Sequence, residues 1–268
     1  MRFFILLSYN GSSFNGWQKQ KNGPSVQEHL EFAFGAYLRE KIEITGAGRT
    51  DTGVHAINYI AHLDSCNDNI SKDRHLLLYK INAILPAGIV VHDICQVGDS
   101  CHSRFDAVSR TYKYFIHTSK NPFLNDYSCF YPYKLNLEKM NEAARLLIGE
   151  KDFTSMAKLH SDVKTNICNV TFANWEELSP MDSIDIPLFQ NCGNSQGICF
   201  TITANRFLRN MVRAVTGTLL EIGRGVHEPE WIIDVLNEKN RGAAGNSVPA
   251  HALFLTKIEY PYKLFPEN

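Results

Sequence analysis

The residues best equipped for chemistry lie in one short run, Gly46-Ala47-Gly48-Arg49-Thr50-Asp51-Thr52-Gly53-Val54-His55-Ala56. Its glycines let the backbone turn tightly and approach a ligand closely, because they carry no Cβ and tolerate positive φ. A carboxylate two residues from a guanidinium, on a loop held by a strand, suits nucleophilic or general-base chemistry on an anionic substrate. The plainer alternative is a turn, in which Asp51 hydrogen-bonds its own backbone and does nothing more. The rest of the chain has to decide between the two.

Elements that could position this loop are legible around it. Phe3–Tyr9 is an apolar strand, too short for the core of a leader peptide and followed by Asn10-Gly11 rather than a small-residue cleavage site. Ser25-Val26-Gln27-Glu28 is a capping box that opens a helix with Val26, Leu30, Phe34 and Leu38 on one face. Lys41–Thr45 and Tyr59–Leu63 are the strands on either side of the loop. A helix over Asp73–Leu85 stops at Pro86, and strands follow at Ile89–Val97 and Val108–Thr118.

Further on, the pattern resumes with a helix over Leu137–Ile148 and strands at Val170–Glu176 and Gly197–Thr203, flanking a polar insert, Ser179–Ser195. A helix over Arg206–Ile222 ends at Gly223-Arg224-Gly225, another covers Pro229–Asn237, and Leu253–Tyr260 closes as a strand. Two halves are expected, residues 1–105 with the glycine loop and 106–268, in an α/β or α+β class. On the expected Arg206–Ile222 helix, Phe207, Met211 and Val215 form an apolar stripe, and Arg206, Arg209 and Arg213 share another face. That face points to water in the ordinary case, and to phosphates or Asp51 in the functional one.

Composition narrows the class. The chain has 268 residues, 44% hydrophobic and 21% charged, which is globular, and no segment approaches the length of a membrane span. Seven cysteines without a C-x-x-C pair argue against a disulfide framework or zinc site and for a reducing, cytoplasmic setting. Ten scattered histidines form no ligand-like cluster, so no metal is expected. A net charge of −1 argues on its face against nucleic acid, but Thr201–Leu220 contains three arginines and no acid.

The glycine loop resembles the active-site signature of the TruA family of tRNA pseudouridine synthases, and four further segments agree in order. These are Tyr9-Asn10-Gly11 with Gly16-Trp17-Gln18-Lys19-Gln20 and Ser25-Val26-Gln27-Glu28, then His102-Ser103-Arg104-Phe105 with Arg110-Thr111-Tyr112-Lys113-Tyr114. Gly149-Glu150-Lys151-Asp152-Phe153-Thr154-Ser155 and Asn205-Arg206-Phe207-Leu208-Arg209-Asn210-Met211-Val212-Arg213 complete the set.

The resemblance implies a pseudouridine synthase fold, two α/β halves with mainly antiparallel sheets flanked by helices. It implies isomerisation of uridine to pseudouridine at positions 38, 39 and 40 of the tRNA anticodon arm, by a homodimer without cofactor or metal. Asp51 would be the essential carboxylate, attacking a sugar or base carbon or removing a sugar proton. By the same resemblance Arg213 pairs with Asp51, Arg49 touches the RNA backbone, Tyr112 stacks on the flipped base, and Leu253 walls the uracil pocket. His102, Arg104, Phe105 and Lys164 stand where the family contacts tRNA, with Arg206 and Arg209 as further RNA-binding positions; Cys101, Ser103 and Lys164 depart from its usual residues, and Thr52 replaces a common alanine.

Two rival readings have visible tests. Asp51-Thr52-Gly53 is also the D-T-G of aspartic proteases, but those need two such carboxylates and this chain has one. A catalytically silent tRNA-binding protein of the same fold would be marked by loss of the aspartate, which is present.

Overall fold

The computed structural model describes residues 1–21, 23–67, 69–158, 165–178 and 197–265. The insert at 179–195 and Lys164 lie outside the described residues. The chain forms two compact units, one of residues 1–110 with 255–268, the other of residues 111–254.

In the first unit, β1 (Arg2–Tyr9) is the central strand. It pairs antiparallel with β3 (His55–Asp64) on one side and β4 (Ile89–Val97) on the other. β10 (Leu253–Glu259), from Leu255 onward, lies beyond β3, and the short β2 (Ile44–Gly46) also pairs with β3. β1 is buried on both faces at its start, through Phe3, Phe4 and Ile5, and Leu7 and Tyr9 are buried further along. A register shift lies between Leu7 and Tyr9 against β3. Helix α1 (Val26–Leu38) starts where its capping box predicts, with Ser25 Oγ accepting from Glu28 N–H at 3.2 Å. Helix α2 (Asn69–Lys72) is a single turn, and α3 (Arg74–Ile84) is capped by the Asp73 side chain, which accepts from Leu76 N–H.

The second unit holds β5 (Ser109–His117) from Thr111 on, and its strands run in the order β5, β9, β8, β7. The two-residue β6 (Cys129–Phe130) runs parallel to β5. The antiparallel neighbours β7 (Gly149–Asp152), β8 (Ile167–Leu178) and β9 (Gly197–Ala204) complete the set. Helix α4 (Leu137–Arg145) is clipped to β8 by Asn141, whose side-chain amide exchanges bonds of 2.9 and 2.7 Å with the backbone of Trp175. Helices α5 (Met211–Gly223) and α6 (Trp231–Glu238) follow. The expected fold class holds: mainly antiparallel strands with helices packed on them.

One helix starts later than its pattern predicts. α5 begins at Met211 rather than Arg206, because residues 205–210 are used otherwise. Asn205 exchanges backbone and side-chain bonds with Asn169 of β8, and Asn210 turns through the left-handed region at φ 66°. Arg206 and Arg209 therefore precede the helix and share no helical face with Arg213.

Candidate active site

The glycine loop is suspended between two short lengths of strand. Gly46 pairs with Ala61 at the end of β2, and Ala47 N–H continues the ladder to the Ile60 carbonyl at 2.9 Å. The chain then leaves the sheet and returns at His55, the first residue of β3. Val54 N–H closes a turn onto the Asp51 carbonyl at 3.1 Å.

Thr50 anchors the middle of this excursion. Its hydroxyl lies 2.8 Å from the Tyr9 hydroxyl, its carbonyl accepts from Trp17 N–H at 3.3 Å, and it is 8% exposed. On either side, Arg49 is exposed and Asp51 partly exposed. Burying the residue between them presents both charged side chains from a fixed backbone.

The support is aromatic and close-fitting. Trp17 and Tyr59 stack at 4.3 Å, with Tyr9 edge-on to Tyr59 at 5.5 Å. The Tyr59 hydroxyl donates to the Gly48 carbonyl and accepts from Gly48 N–H. A Cβ at Gly46 would stand 2.2 Å from that hydroxyl and 2.4 Å from the Trp17 ring. Gly16, at φ +86°, lets the N-terminal turn press against the loop, where a Cβ would meet the Thr50 carbonyl at 2.4 Å. His55 is 1% exposed and accepts from Gly11 N–H through Nδ1 at 3.1 Å, so it fixes the loop's exit rather than facing a substrate.

The second loop of the first unit carries His102, Arg104 and Phe105. The Asp106 carboxylate accepts from His102 N–H and the Tyr262 hydroxyl, both at 2.7 Å, and these bonds hold its carboxyl below the usual carboxylate range. His102 Nδ1 accepts from Arg104 and Phe105 N–H at 3.1 and 3.3 Å. Phe105 is 75% exposed, its ring 4.2 Å from that of His102, with the Arg104 guanidinium above it at 5.8 Å. An exposed aromatic beside an exposed arginine suits base stacking and phosphate contact.

Beneath this loop, His62 on β3 is 5% exposed, with Nδ1 2.7 Å from the Ser103 hydroxyl. Burial, reinforced by the charge of Arg2, lowers its imidazole pKa to about 4.

The remaining candidates lie in the second unit. Tyr112 on β5 is half-buried, its ring edge-on to Phe207 at 5.0 Å and 84°. Arg213, in the first turn of α5, is half-buried; its Nε donates to the Val248 carbonyl at 2.7 Å, and its own carbonyl accepts from Val248 N–H at 3.2 Å. That segment is held by Arg241, whose guanidinium reaches the Gly245 carbonyl at 3.1 Å and the Ser247 hydroxyl at 2.8 Å. Leu253 is 4% exposed at the start of β10. Arg206 is half-buried, and Arg209 is exposed, with its carbonyl accepting from Lys158 N–H.

The structure thus groups Arg49 with Asp51 on one loop, and His102, Arg104 and Phe105 on another. Sequence reasoning missed the contacts by which Tyr9, Trp17 and Tyr59 support the loop. For Tyr9 and Trp17 the signal was the density of aromatic residues and glycines before the loop, whose partners only folding reveals. Among the described residues no cluster of His, Cys, Asp or Glu could hold a metal ion, and no helix is long and apolar enough to cross a membrane.

Comparison with known proteins places this geometry. A family model described as tRNA pseudouridine synthase matches residues 5–106 and 143–261, spanning the glycine loop, the 102–105 loop and α5. The chain is 46% identical over 267 residues to tRNA pseudouridine synthase A of Bacteroides thetaiotaomicron, covering 100% of this chain and 93% of that protein. It is 46% identical to the enzyme of the same name from Parabacteroides distasonis, covering 99% of this chain and 98% of that protein. The Francisella philomiragia enzyme of that name is 36% identical, over 97% of this chain and 94% of its own. With a matched loop that pins an aspartate and an arginine at its surface, and with relatives matched end to end, the chain belongs to the tRNA pseudouridine synthase family.

Proposed function

We propose that the chain converts uridine to pseudouridine at positions 38, 39 and 40 of the tRNA anticodon stem-loop, with Asp51 as its essential carboxylate. The reaction breaks the N1–C1′ bond, turns the uracil and joins C5 to C1′; the C5 proton leaves and N1 gains one. An aspartate takes part either by attack on a sugar or base carbon or by removing a sugar proton. The carrying observation is the anchoring of the loop at buried Thr50, which leaves Arg49 and Asp51 presented on either side.

The other roles follow the family resemblance. The uridine has to leave its stack, which costs a few kcal/mol, and an aromatic ring such as Tyr112 offsets part of that. Arg49 holds the RNA backbone, Arg213 pairs with Asp51 and keeps it ionised, and Leu253 walls the uracil site. His102, Arg104, Phe105, Lys164, Arg206 and Arg209 contact tRNA. The protein acts in the cytoplasm as a homodimer, with residues 1–105 and 106–268 as its catalytic and base-stacking halves, and takes no cofactor.

The test is tritium release from tRNA labelled at uridine C5. The wild type should release label, and Asp51→Ala should release none while binding tRNA within about threefold of wild type. Release by Asp51→Ala at a rate near wild type would overturn the assignment, and absence of release by the wild type from any tRNA with uridine at these positions would overturn the function.

A further inference from the structure

We propose that Arg110 is a positioning residue for the reaction, holding the entry to the Asp51 loop in register with the 102–105 loop. The inference rests on Asp51 as the reacting carboxylate. Both N–H groups of Nη2 are taken, one by the Ala47 carbonyl at 2.9 Å and the other by the Arg104 carbonyl at 2.7 Å. Nη1 donates to the Ala107 carbonyl at 2.7 Å. One guanidinium therefore joins the backbone four residues before Asp51 to the backbone of the exposed Arg104.

A planar fork can meet three carbonyls at fixed angles; an ammonium is a point donor on a flexible stem and cannot reproduce that geometry. Bonds from a charged donor are roughly twice as strong as neutral ones, so the link is stiff. Each loop also has supports that do not involve Arg110. Ser103 Oγ donates to the Thr45 carbonyl at 2.8 Å, the Tyr260 hydroxyl donates to the Ser103 carbonyl, and the Tyr262 hydroxyl donates to Asp106. On the other side, Tyr59 and Tyr9 hold Gly48 and Thr50. With those supports intact, removing Arg110 loosens the alignment of the loops rather than the fold.

The loop carrying the carboxylate and the loop carrying Arg104 must meet one RNA at the same time. A small error in their register leaves binding possible while misplacing the carboxylate, and displacements on the scale of 1 Å can cost about a hundredfold in rate.

The experiment is tritium release under saturating tRNA by Arg110→Lys and Arg110→Met, with tRNA binding and thermal unfolding measured alongside. Both variants should lose about 10–100-fold in kcat, with KM and tRNA affinity within about threefold of wild type. Arg110→Lys should be no better than Arg110→Met, since the geometry and not the charge is lost. Wild-type kcat in Arg110→Lys would overturn the proposal, as would a loss confined to KM, which would make Arg110 a phosphate contact. If Arg110→Met fails to fold, Arg110→Lys carries the decision alone. Activity in Asp51→Ala would overturn the underlying reading instead; a dead Asp51→Ala beside fully active Arg110 variants would overturn this proposal only.

Discussion

His62 shows how a single side chain under the second loop ties stability to pH. It faces Arg2, His102, Asp64 and Asp106, and burial lowers its pKa to about 4, below the ~6.5 of an unfolded imidazole. Above pH 6.5 the imidazole is neutral in both states and contributes nothing. As pH falls from there towards 4, only the unfolded chain takes up the proton, so stability is lost across that window. Between about pH 7.5 and about pH 5 the wild type should lose roughly 1–2 kcal/mol more than His62→Gln. Urea unfolding at the two pH values measures this. Using the difference matters because Asp64, paired with Arg2, and Asp106, bonded to His102 N–H, also lose stability in acid in both proteins. Identical pH dependence in the two proteins would show that His62 is not held neutral. None of this was visible in the chain, where His62 is one histidine among ten.

At the scale of elements, what could be read was what is encoded locally. The capping box of α1 and the apolar run of β1 came through because each depends on residues within a few positions. The loop's first residues were read as lying beyond a strand at Lys41–Thr45, whereas Gly46 itself belongs to β2, since pairing with β3 decides it. The start of α5 was misplaced for the same reason. Phe207, Leu208 and Met211 continue a helical apolar pattern, but Asn205 is bound to Asn169 across the sheet, and a non-local ladder outweighs local periodicity. Helix α1 contributes more to the site than its apolar stripe predicted. Gln27 Oε1 accepts from Lys19 N–H at 3.1 Å, and its Nε2 donates to the Ile44 carbonyl at 3.0 Å and to Glu31 at 2.9 Å. Glu31 in turn accepts from Ile44 N–H at 3.2 Å, so α1 grips the strand that feeds the glycine loop. Gln27→Ala leaves two backbone groups without these partners and should cost about 1–3 kcal/mol by urea unfolding. A change under about 0.5 kcal/mol would mean that water replaces the amide at no loss.

For the molecule as a whole, the charge balance constrains how tRNA is held. A chain of net charge −1 has little long-range attraction for a polyanion, and at physiological salt the screening length is about 8 Å. Affinity must then come from arginines that touch phosphates. The average charge hides local asymmetry, such as the three arginines without an acid between Thr201 and Leu220. Arg104 is the sharpest test because its backbone and side chain do separable work. Its carbonyl and N–H are bonded to Arg110 and His102, while its guanidinium sits exposed beside Phe105. Arg104→Gln keeps the backbone bonds and removes only the charge. The logarithm of tRNA affinity should fall with the logarithm of salt concentration, and Arg104→Gln should flatten that slope by about 0.7–0.9, the share of one phosphate contact. Arg110→Lys, whose wild-type guanidinium is bonded to carbonyls, should leave the slope unchanged. An unaltered slope in Arg104→Gln would remove Arg104 from the RNA interface, and a flattened slope in Arg110→Lys would place that charge on the RNA rather than between the loops.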